Sequence, residues 1–264
     1  MKRMSPWKRT WAGLSLPFAV TVAGLALAAV LAGCGGEKAG SDQANGTAVS
    51  DTSAYRAALA EKDTTARIAA LETFLKEYPQ SPFRPNAVSQ GFGLLMNRDP
   101  ARAGRFVDDL LAKEKDGETR GRLYYAAYIH ARDTEPGAVP ALLERMQADE
   151  AVSADGYNMV AWDLVIHEEH LDPAIALAAK GATKAPDDES KSSVLDTQGW
   201  GLYMKGDYGP AAEILEQAAA LIPKENAQEV RGHLAQAYDK AGRAQEARDL
   251  MVELMTEVED PEMR

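Results

Sequence analysis

"DTQGWGLYMKGDYGPAAEILEQAAALIP", Asp196 to Pro223, reads as two helices joined by one tight turn. Gly206 ends the first, because glycine takes the positive φ that closes a helix. The alanine-rich run from Ala211 makes the second, and Pro223 stops it, since proline cannot continue a helix. Trp200 and Tyr203 stand three apart on the first helix, which makes them neighbours on one face. Two large aromatics there are either core or the wall of a binding site.

The plan recurs along the chain. Thirty-six residues after Gly206 and Ala211 come Gly242 and Ala247, in "HLAQAYDKAGRAQEARDLMVELM". Thirty-seven before Ala211 comes Ala174, in "NMVAWDLVIHEEHLDPAIALAAKGATKAP", and Pro186 precedes Pro223 by the same interval. Further steps of 35 and 36 reach Val139, Ala103 and Arg67, each near the start of an amphipathic segment with another helical segment before it. No run alternates as a strand would. A fixed period of this length marks a stacked repeat, here six helix pairs. Asp99-Pro100 and Asp172-Pro173 read as an N-cap acid followed by a first-turn proline.

At these positions the last three units resemble tetratricopeptide repeats. The matching residues are Gly199, Leu202, Gly206, Tyr208, Ala211, Leu215, Ala218 and Pro223 in one unit. They are Leu234, Ala235, Tyr238, Gly242, Ala247 and Met251 in the next, and Ala161, Trp162, Leu171, Ala174, Ala178 and Pro186 in the one before. Arg67 and Val139 replace the alanine of the pattern, so residues 52–150 form degenerate units and 151–259 regular ones. The resemblance implies an all-α, right-handed α-solenoid of about six such helix pairs, with the first helix of each pair lining a concave wall. It also implies binding of a protein or peptide. No glycine-rich phosphate loop follows a strand and no Gly-x-Ser-x-Gly elbow is present, so no catalysis or cofactor is expected. "ALETFLKEYPQSP" is similar to units of envelope lipoproteins, so a part in an envelope or outer-membrane assembly machine is the alternative role.

Carried over unit by unit, the family's groove positions give three rows. One holds Phe92, Tyr128, Asp163, Trp200 and Gln236; a second holds Tyr124, Met159 and Asp196; a third holds Ile166 and Tyr203. Apolar and aromatic residues with a few fixed polar groups suit a peptide groove. The competing reading is that a tight coil buries this wall. The positions where some relatives clamp a C-terminal carboxylate hold Asp163, Trp200 and Gln236, so capture of that kind is not expected.

The first residues are of another kind. "MKRMSPWKRTW" carries four basic residues and no acid, and an apolar run from Ala12 to Gly33 follows, a secretory pattern. Leu31-Ala32-Gly33-Cys34 resembles the lipobox of bacterial lipoproteins, which implies cleavage after Gly33 and lipidation of Cys34 as the new N-terminus. An uncleaved apolar anchor is the other reading. Residues 1–33 are then a signal peptide, 34–51 a small, polar tether, and 260–264 an acidic tail. The resemblance favours export to the outer membrane, facing the periplasm, because Gly35 is not the aspartate that commonly retains lipoproteins at the inner membrane.

Forty acidic residues against 29 basic ones argue against nucleic acid, whose phosphates need cations. A single cysteine excludes an internal disulfide and a cysteine-built metal site. "HEEH", His167 to His170, spaces two histidines three apart. A helical zinc-protease site needs them four apart with a glutamate between, so a solvated helix end is expected and no metal site. A metal-dependent enzyme subunit is the remaining alternative.

Overall fold

The computed structural model describes residues 50–259, all within one compact unit. Cys34, the signal segment, the tether up to residue 49 and the tail at 260–264 lie outside the described residues. All regular structure among the described residues is helical. The helices are α1 (Asp51–Ala60), α2 (Thr64–Glu77), α3 (Arg84–Met96), α4 (Pro100–Leu111), α5 (Gly117–Thr134) and α6 (Val139–Ala148). They continue as α7 (Ala154–Ile166), α8 (Leu171–Lys184), α9 (Asp188–Lys205), α10 (Tyr208–Ala220), α11 (Gln228–Lys240) and α12 (Ala244–Glu259). They fall into six consecutive pairs, as the period requires. No described helix is long and apolar enough to cross a membrane.

Side chains set six of the twelve described α-helix starts. Ser50, Asp63, Asp99, Asp116, Ser153 and Asp187 each accept a hydrogen bond from the backbone N–H three residues on. Each such cap stabilises its helix by about 1 kcal/mol. Asp99-Pro100 behaves as expected. Asp172-Pro173 does not: α8 begins two residues earlier, at Leu171, after a His170 cap that makes no side-chain bond, and Asp172 lies inside the first turn. Gly206 and Gly242 take φ of 96° and 81° at their turns. In the "HEEH" turn the same left-handed geometry falls on Glu168 (φ 57°) and His170 (φ 45°), at a cost in backbone strain.

Helices pack on their sequence neighbours, except that α6 packs on α5 and α8 rather than on α7. The first helices of the pairs also lie side by side, α3 on α5, α5 on α7, α7 on α9, and α9 on α11. One continuous apolar core runs from Ala58 to Ala237. Small residues set the closest approaches. A Cβ on Gly199 would sit 2.6 Å from Leu215 Cγ, and one on Gly156 would sit 2.6 Å from the Cα of Gly121.

A polar device also ties the first three units together. Arg84, in the first turn of α3, donates to the carbonyl of Leu75 (2.5 Å) at the end of α2 and to the carboxylate of Glu114 (2.5 Å) beyond α4. Thirty-six residues on, Arg120 donates to the carbonyls of Leu111 and Glu114 and pairs with Asp149. Each guanidinium satisfies carbonyls that a helix end leaves without partners while bridging to the next unit.

Candidate protein-binding face

The side-by-side first helices α5, α7, α9 and α11 carry most of the candidate residues. The structure does not keep them all on one open wall. Phe92, Tyr124, Tyr128 and Tyr203 belong to the core, with Tyr124 and Tyr128 exposed by only 2% and 1%. Met159, Asp163 and Trp200 are half-buried, Asp196 is buried, and Ile166 is 48% exposed.

On α5 the expectation fails for a positional reason. Tyr124 turns toward α6, where its hydroxyl donates to Asp149 Oδ2 (2.9 Å) and Arg145 lies over its ring. Burial, then the hydrogen bond and charge of Asp149, raise its pKa. The half-buried residues of α5 include Arg122, Tyr125, Ile129 and Arg132 instead. Tyr125 donates to Asp163 Oδ1 on α7 (3.2 Å), and Arg132 Nη1 lies 3.3 Å from Asp163 Oδ2. Asp163 is therefore a bridge between units, with its carboxylate already partnered. Helical spacing does not single out Tyr125, because Tyr124, Tyr125 and Tyr128 crowd one short stretch and spacing alone does not say which of them faces out.

Around α9 and α11 the picture is different. Trp200 stacks on Tyr203 (centroids 4.5 Å, 6° apart in plane) and on His233 of α11 (4.2 Å, 20°). Tyr203 meets Tyr208 edge-on at 5.4 Å. His233 Nδ1 lies 2.8 Å from Asp196 Oδ1. The indole is thus fixed by rings on two helices, one of them held by a carboxylate of α9. Asp196 also lines a cleft of about 380 Å³ between the start of α9 and the α10–α11 connection. Asp188, Glu189 and Glu229 share its lining with Leu221, Pro223 and Val230, and among the described residues no lysine or arginine lines it. Residue spacing gives no sign of this cleft, since its walls come from three separate segments.

The "HEEH" string closes the α7–α8 turn. His167 Nδ1 donates to the Asp163 carbonyl (2.7 Å), capping α7. Among the described residues no group of three His, Cys, Asp or Glu side chains is placed to hold a metal.

Comparison with known proteins bears on the C-terminal units. Residues 202–264 match the family model described as tetratricopeptide repeat. No curated protein matches the chain. Among solved structures, a thermophilic TPR protein of Thermus thermophilus is similar at 20% identity. The match covers 78% of this chain and 91% of that one, with a TM-score of 0.35.

Proposed function

We propose, from the match of residues 202–264 to the family model described as tetratricopeptide repeat, that the chain is a tetratricopeptide-repeat interaction scaffold of the bacterial envelope. Repeats of this kind hold protein partners. The observation that carries the reading here is the Trp200 cluster standing beside the acidic cleft through their shared residue, Asp196. A preset aromatic next to a row of carboxylates suits a segment that offers an apolar side chain and a lysine or arginine. Phe92, Tyr124, Tyr128 and Tyr203 serve this site by holding the helices in place, and they do not touch the partner. Ile166 and Met159 continue the face onto α7.

Anchoring is the second half of the proposal. The Leu31-Ala32-Gly33-Cys34 lipobox supports lipidation of Cys34, and the polar segment after it supports a body held off the membrane surface, in the periplasm. A chain with Cys34→Ser should leave the membrane fraction. For the binding site, a photoreactive group at position 200 should crosslink a discrete envelope protein in intact cells. Asp196→Lys, combined with a photoreactive group at position 166, should remove that product. A crosslink pattern indifferent to Asp196→Lys and to Trp200→Ala would sink the assignment.

A further inference from the structure

The molecule carries a second recess, of opposite charge. It opens between α2 and α4 with a volume of about 750 Å³. Leu75, Pro79, Phe106 and Leu110 give it an apolar lining. Its charged lining holds six basic residues against three acids. Two of the six are already paired, Arg84 with Glu114 and Arg102 with Glu72 (2.7 Å). Lys76, Arg105, Lys113 and Lys115 are exposed and have no ion-pair partner among the described residues, while Asp109 is the one lining acid left over. This concentration of free cations sits in a chain with an excess of eleven acids.

We propose that the α2–α4 cleft is a binding site for an acidic peptide segment that inserts a bulky apolar side chain. The floor takes the apolar group, and the volume lies within the range of pockets that hold ligands. The free cations around it take carboxylates, as complementary charge fixes the register of a bound peptide. A recess between two helices suits a segment with side chains that project into it. A bilayer presents no such projection, and the net negative body is repelled by anionic headgroups. The site lies on second helices of the pairs, whereas the Trp200 cluster lies on first helices. Its charge is also opposite, so the two sites select different partners.

The test uses the purified full chain and a fluorescein-labelled helical peptide of glutamate, leucine and alanine, read by anisotropy. The peptide should bind, and added salt should weaken it. Lys76→Glu with Arg105→Glu should raise the dissociation constant about tenfold or more. Lys113→Glu with Lys115→Glu, placed beyond the end of α4, should act the same way. Circular dichroism should show native helix content in both variants. Failure of the peptide to bind, or binding by either variant as tight as by the parent chain, overturns the proposal. So does undiminished binding of a peptide with serine for leucine, or with lysine for glutamate. If the charge reversals instead weaken attachment to phosphatidylglycerol vesicles and leave the peptide unaffected, the cleft is a lipid site and the proposal fails.

Discussion

Gly156 of α7 and Gly121 of α5 meet backbone to backbone, so that a Cβ on Gly156 would lie 2.6 Å from the Cα of Gly121 and 2.9 Å from Val152 Cγ1. The join between the third and fourth units depends on that approach. Gly156→Ala should lower unfolding free energy by about 1–3 kcal/mol, because the clash is with backbone that cannot step aside. Gly232, inside α11, has nothing within 4 Å of its would-be Cβ. Gly232→Ala should instead stabilise by about 0.5–1 kcal/mol through helix propensity. Urea titrations of the two variants would separate packing from propensity; equal effects would refute the close-approach account.

The Arg84–Glu114 pair is buried, with side chains exposed by 9% and 5%. Glu114→Gln leaves the guanidinium without its counter-charge and should cost roughly 3 kcal/mol. Replacing both, Arg84→Met with Glu114→Leu, should cost less than Glu114→Gln alone, because no charge is left buried. A double-mutant cycle measures the difference. Additive single effects would mean that the pair does not join the units.

Glu168 adopts a left-handed conformation at the α7–α8 turn, where the equivalent turns use Gly206 and Gly242. Glu168→Gly should raise stability by up to about 1 kcal/mol, the strain relieved outweighing the added freedom of the unfolded chain. A lower thermal midpoint for this variant would show that the turn is not strained.

Tyr238 donates to Glu216 Oε1 (2.9 Å), and burial, then that hydrogen bond and the carboxylate's charge, push its pKa up to about 12. Tyr128 is likewise pushed up to about 12, by burial first and then by Asp163. The unfolded chain releases these protons near about pH 10. The folded state therefore binds more protons between about pH 10 and 12, and stability is complete below that window and falls as pH rises through it. Tyr238→Phe should flatten the fall in urea midpoint between about pH 9 and 11 relative to the parent chain. An unchanged slope would remove Tyr238 from the account.

How much of this is written in the sequence differs from element to element. The interval between Ala174, Ala211 and Ala247 sets the helix pairs, because a unit of that length must bury one apolar face against the next. Gly206 and Gly242 mark their turns because few other residues take those angles easily. The same local rules misplace Asp172, where the left-handed His170 opens the helix two residues sooner.

Faces are another matter. Tyr124 and Tyr125 are adjacent in the chain, yet one reaches Asp149 from the core and the other crosses to Asp163 on the next unit. Helix α5 packs on α3, α4, α6 and α7 at once, so periodicity finds apolar character on nearly every side and cannot choose among them. The pairing of Arg84 with Glu114 and of Asp196 with His233 joins residues about a repeat apart, and only the stacking of units sets those contacts. Residue order alone therefore specifies a chain of helix pairs and their turns. Stacking is what turns most of the expected groove aromatics into core, leaves Trp200 as a half-buried ring held by Tyr203 and His233, and gathers free charge in two clefts of opposite sign. Helix formation is governed by neighbours a few residues away, while burial and ion pairing depend on which surfaces the stacked units leave uncovered.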